Sequence, residues 1–146
     1  SLALRKTQSF PVGLVAPTLH RGADLQQEWG RVFARAPRLP QAGIAAVGAL
    51  REQPAVLAAV AQAYARSVAW CRAYPMECGQ MMHQHIDLLT PEAVADAVAT
   101  SQLDAVPALA ARGDLEFFFT QLMARNAALV GGKLPEAGFY AAPASA

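Results

Sequence analysis

The sequence predicts a mostly α-helical chain with one or two strands. Three observations lead to that expectation. Apolar residues recur at steps of three and four from Pro54 onward, the period of an amphipathic helix. Prolines and cap residues stand where helices begin, at Pro54, Pro75 and Thr90-Pro91-Glu92. Only one short apolar run bounded by Pro and Gly, Gln41 to Gly48, carries a strand-like pattern.

Composition narrows the function classes. The chain has 146 residues, 54% of them apolar, with 12 basic and 11 acidic side chains. This length can bury a sizeable core, and the low charge content argues against disorder. Alanine supplies much of the apolar set, so the positive mean hydropathy reflects small side chains. A net charge near +1, with arginines scattered singly between acids, argues against nucleic acid as a partner, since such binders concentrate basic residues. No apolar run approaches the 18 or so residues that a bilayer span needs.

Residues 1–9 have weak helical character, ended by Pro11 and Gly13. Leu14-Val15-Ala16 before Pro17 reads as a buried strand or a loop. Asp24 is an N-cap for a helix to about Arg35, with Leu25, Trp29 and Val32 on one face. Pro37 and Pro40 make 36–40 an extended linker. The run 41–48 is then expected to be a fully buried strand. Alanine, a helix former, weakens its strand character.

From Pro54, Leu57, Val60, Tyr64, Val68 and Cys71 form a core stripe to about Tyr74. Pro75 opens a helix to about Ile86. Thr90 caps another that turns Val94 and Val98 inward. Gly113-Asp114 starts a further helix with Leu115, Phe118, Phe119 and Leu122 as its core face. Gly131-Gly132 and Pro135 interrupt the pattern, and 141–146 is a tail. A lone buried strand needs partners on both edges, and few are offered. That shortage, and an opening that reads as mid-helix, suggest that residues before Ser1 belong to the same fold.

No catalytic constellation emerges, so no enzyme is expected. His20 lies beside Arg21 without a nucleophile near it, and Glu28, Glu52, Asp87 and Asp104 are scattered. Cys78, His83 and His85 are of metal-ligand type, but on a helix 83 and 85 point about 200° apart. They read as a surface or core pair near a helix end, with Met81 and Met82 as core filler. No metal or cofactor is expected. Gly131-Gly132-Lys133 lacks the Ser or Thr and the preceding strand of a phosphate loop, and reads as a helix cap and turn. Cys71 and Cys78 flank Pro75. A disulfide across that corner suits an oxidising compartment; two separate thiols, both buried or one exposed, are the other reading. Gln41 beside Gly43 suits a strand lining a cleft, with the amide on a ligand. An ordinary strand entry with a satisfied glutamine is equally open.

The order of these segments resembles the C-terminal part of an ABC-transporter substrate-binding protein of the nitrate/sulfonate/taurine type. The stretches concerned are Asp24-Leu25-Gln26-Gln27-Glu28-Trp29 followed by Arg38-Leu39-Pro40-Gln41-Ala42-Gly43. They continue with Leu50-Arg51-Glu52-Gln53-Pro54, then Ala69-Trp70 and Tyr74-Pro75-Met76-Glu77. Gly132-Lys133-Leu134-Pro135 with Gly138-Phe139-Tyr140 closes the series. The resemblance implies an α/β protein of two lobes, of the periplasmic binding protein-like II class, whose N-terminal half is absent from this sequence. Residues 1–40 would end the second lobe and 41–48 would be the crossover strand and hinge. Residues 49–140 would be helices packing on the first lobe. It implies a periplasmic protein that captures a small anion or organic solute, touched by Gln41 and Gly43, and delivers it to ABC permease subunits. The fragment would pair with its missing half or swap. A cytoplasmic ligand sensor on the same fold and a stand-alone helical interaction module are the competing expectations.

Overall fold

The computed structural model describes residues 20, 22–101 and 103–141. The expected helix over 1–9 and the run Leu14-Val15-Ala16 lie outside the described residues. Among the described residues there are five α-helices: α1 (Leu25–Phe33), α2 (Pro54–Ala73), α3 (Pro75–His83), α4 (Pro91–Thr100) and α5 (Arg112–Arg125). Short 3-10 turns cover Gly48–Glu52, Ala127–Val130 and Ala137–Phe139.

Among the described residues there is no strand. This corrects the expectation for 41–48. That stretch has no regular structure before the 3-10 turn at Gly48, and it is exposed apart from a half-buried Ala46. An apolar run becomes a buried strand only when neighbouring strands take up its N–H and C=O groups. The described residues supply none. The helical part of the fold expectation holds, and the α/β part belongs to the resemblance.

The chain falls into two compact units. The first comprises Tyr64–Asp104 with the described residues of Ser1–Ala23, so it holds the second half of α2, then α3 and α4. Pro54 opens α2 and Pro75 opens α3, each at the place where a missing N–H costs nothing. Thr90 caps α4, its Oγ1 accepting from the N–H of Ala93 at 3.3 Å. Among the described residues of this unit, Val68, Cys78, Ala93 and Val94 are the buried side chains. Of the expected stripe on α2, Val68 is buried, whereas Val60 and Tyr64 stay exposed.

Helices α3 and α4 meet at a glycine. A Cβ built on Gly79 would lie 2.5 Å from the Pro91 carbonyl oxygen and 2.7 Å from its Cα. No side chain fits there, because the obstacle is backbone.

The second unit comprises Asp24–Ala63 and Ala105–Ala146. Asp24 caps α1, with Oδ1 accepting from the N–H groups of Gln26 and Gln27 at 2.9 and 3.2 Å. The packed face of α1 differs from the expected one. Leu25 and Val32 are exposed, and Trp29 and Phe33, one turn apart, make the contact. They meet Phe117 and Phe118 of α5, with ring centroids 5.2 to 5.8 Å apart in edge-on pairs. Such pairs contribute about 0.5–1.5 kcal/mol each beyond the area they bury. The linker after α1 is tied to the first turn of α5. Arg35 and Arg38 each reach one carboxylate oxygen of Asp114, at 3.2 and 3.3 Å, and Arg35 lies over the Phe117 ring.

Gly79→Ala is expected to destabilise the protein by about 2–3 kcal/mol, the range of an overpacked contact that backbone must relieve. Gly113→Ala, where a Cβ meets nothing within 4 Å, is expected to shift stability by less than about 1 kcal/mol. Urea denaturation of both variants checks the contrast.

Candidate functional site

The residues singled out in the sequence are dispersed. Gln41 and Gly43 sit on the exposed irregular stretch of the second unit, and nothing approaches within 4 Å of where a Gly43 Cβ would be. The close backbone approach that glycine would permit is not used there. His83 closes α3 and His85 lies in the following turn, both exposed. Among the described residues no three His, Cys, Asp or Glu side chains converge on one point. Gly131 and Gly132 have positive φ, and the Gly131 N–H closes the 3-10 turn of Ala127–Val130. Lys133 pairs with Glu136 at 2.9 Å.

The first unit contains the concave site. Val68 and Cys71 on α2, Cys78 and Met82 on α3, and Val94 and Val98 on α4 wall an apolar groove of about 420 Å³. Each pair sits three, four or four residues apart and so faces one way on its helix. Ala93 and Ala97 of α4 line the groove beside Val94 and Val98. At one end, Arg72, Ser101, Leu103 and Asp104 bound a smaller polar hollow of about 260 Å³. There the Arg72 guanidinium stands 4.0 Å from the Asp104 carboxylate. A groove of this volume and lining is suited to apolar side chains or a small apolar molecule.

Cys71 and Cys78 are joined as a disulfide, with Cα atoms 5.1 Å apart, inside the normal span for such a bond. The bond closes the corner at Pro75 and forms part of the groove wall. Cys78 is buried, and its sulfur lies 4.0 Å from that of Met82.

A second cluster lies in the other unit. Tyr140 is only 4% exposed, and among the described residues its hydroxyl has no hydrogen-bond partner. Arg112 lies over its ring at 5.0 Å and pairs with Glu116 at 2.8 Å. Burial first, then the nearby Glu116 carboxylate, hold the Tyr140 pKa above its usual 10; the Arg112 charge opposes them. Glu116 acts across space, outside hydrogen-bonding geometry to the hydroxyl.

Sequence reasoning did not find the groove or the Tyr140 cluster. The alternation of alanine and valine along 93–98 was the available sign of this apolar face. Nothing in the local sequence places Tyr140 near Arg112 and Glu116.

No family model, no curated protein and no solved structure matches the chain.

Two outcomes are expected. Reduction of the disulfide, or the Cys71→Ala/Cys78→Ala pair, lowers unfolding free energy by about 2–3 kcal/mol, the loop-closure value for so short a ring. In the paired variant a dithiol has no further effect on the thermal midpoint. The second concerns alkali. Because folding raises the Tyr140 pKa, its contribution is intact below about pH 10 and is lost as pH climbs toward the folded value. Tyr140→Phe is expected to lessen that alkaline loss while leaving neutral-pH stability equal or higher, as read by denaturation at pH 7 and pH 11.

Proposed function

We propose that the chain is part of the solute-binding component of an ABC importer of the nitrate/sulfonate/taurine type. In this reading it captures a small anion or organic solute between two lobes and delivers it to the membrane permease. The sequence resemblance is the source of the reading. The structural observation that supports it best is a run of individually exposed apolar residues along 44–60 of the second unit. Ile44, Val47, Leu50, Val56 and Val60 are all exposed within one stretch of chain, Val47 by 73%. Single exposed apolar residues are ordinary, but a concentrated set marks a surface that packs against more protein. Two lobes that share a core have that need.

The mechanism requires binding and closure only. A solute held better by the closed form than the open one shifts the population toward closure, by its difference in affinity. Gln41 and Gly43, exposed and just before this stretch in the chain, are the residues of this chain proposed to meet the solute.

The same exposed residues favour a second reading, a helical interaction module that docks a partner protein and binds no solute. A thermal-shift screen of the whole gene product against small inorganic anions, sulfonates and aromatic acids separates the two. The importer reading expects one class to raise the midpoint by about 5–10 °C at 100 times its Kd. A flat response to all classes overturns it and leaves the interaction module. With a ligand in hand, Gln41→Ala is expected to weaken binding about tenfold while shifting stability by less than about 0.5 kcal/mol. Unchanged affinity removes Gln41 from the site.

A further inference from the structure

We propose that the first unit binds a small zwitterion with an apolar tail, of the chemistry of a long-chain α-amino acid. The tail lies in the apolar groove, the carboxylate meets Arg72 and the ammonium meets Asp104. The proposal is independent of the importer reading, whose residues belong to the second unit.

The groove and the polar hollow adjoin. Ser101 and Leu103 line both. On α2, Val68 and Cys71 line the groove, and Arg72, the next residue, lines the hollow. On α4, Val94 and Val98 lead along the groove to Ser101 at the helix end. Steps of three and four keep each set on one side of its helix. Both sides therefore pass from apolar to polar toward the C-terminal ends of their helices. A ligand that fits this gradient is apolar along its length and polar at one tip. The groove volume, about 420 Å³, lies in the range of small-molecule sites.

The charges decide what the tip is. The hollow is lined by one cation and one anion, Arg72 and Asp104. They stand 4.0 Å apart, a loose pair, and both side chains are largely exposed. A ligand with a lone anion gains Arg72 and is repelled by Asp104. A lone cation meets the reverse. A zwitterion laid against the pair gains both attractions. The end of α4 favours a cation as well. Its last turn carries no basic residue, and the C-terminal carbonyls bear partial negative charge. Because Arg72 and Asp104 are exposed, each charge contact is modest, and burial of the tail supplies most of the affinity.

Isothermal titration calorimetry on the full 146-residue chain at pH 7 tests this. The probes are 2-aminooctanoate, octanoate and octylamine, the last two each lacking one charge. Octanoate and octylamine are expected to bind about fivefold more weakly than 2-aminooctanoate. Shortening the tail to 2-aminohexanoate is expected to cost about fourfold per methylene removed. Asp104→Asn should bring octanoate level with 2-aminooctanoate, and Arg72→Gln should do so for octylamine. Ala97→Phe, which puts a ring where the groove lining is smallest, should abolish binding of all three. Its urea transition shows whether that variant folds, and the two exposed substitutions decide the matter if it does not. Gln41→Ala should leave every affinity unchanged; a loss there would move the ligand to the second unit and overturn the proposal. No binding of 2-aminooctanoate, equal affinity for the three probes, or indifference to tail length each overturns it. A ligand-free thermal midpoint that rises with protein concentration, with no probe bound, overturns it in favour of a second copy of the chain.

Discussion

The bond between Cys71 and Cys78 holds the corner on which the first unit is built. It fixes the end of α2 against the first turn of α3 across Pro75. With that corner set, α3 presents Gly79 to the Pro91 backbone, and α4 can lie close. Only four side chains of the unit are buried among the described residues, so dispersion and apolar burial alone hold it weakly. A covalent corner and one glycine-sized approach replace part of what a larger core would supply. Among the described residues the arrangement leaves a groove lined by α2, α3 and α4.

The second unit solves the same problem with aromatic rings and a shared carboxylate. Trp29 and Phe33 lie against Phe117 and Phe118, and Arg35 spans from the Phe117 face to Asp114. Asp114 sits in the first turn of α5, where a negative charge is favoured by the helix dipole, and it holds two guanidiniums besides. These contacts are partly exposed, so each is modest by itself. Their effect is positional: they set where the linker after α1 runs. Tyr140 is the exception, a buried group whose hydroxyl has no partner among the described residues.

Local features were legible in the sequence because they act over one helical turn. The Asp24 and Thr90 caps, the helix-opening prolines at 54, 75 and 91, and the glycine turn at 131–132 each depend on neighbours within four residues. The faces of α1 and α2 were read less well. Leu25, Val32, Val60 and Tyr64 have the right spacing for burial and remain exposed, because periodicity shows which side chains share a face and is silent on what covers it. The run 41–48 shows the same limit. An apolar segment between Pro and Gly has the pattern of a strand, yet a strand needs partners to exist.

By itself the sequence determined the helical character and the starts of the capped and proline-led helices, since backbone propensity and caps decide these locally; whether Cys71 and Cys78 join across the proline corner was left open and was decided by the structure. Tertiary structure alone decided that Phe33, and not Leu25 or Val32, joins Trp29 in the packed face of α1, that Asp114 takes both arginines, and that Tyr140 lies buried beside Arg112 and Glu116. It alone decided, too, that α2, α3 and α4 leave a groove. These outcomes join distant residues: Arg35 and Asp114 are 79 positions apart, and Trp29 and Phe118 are farther still. Their energies depend on distance in space and on how much water is excluded, and neither quantity is carried by spacing along the chain.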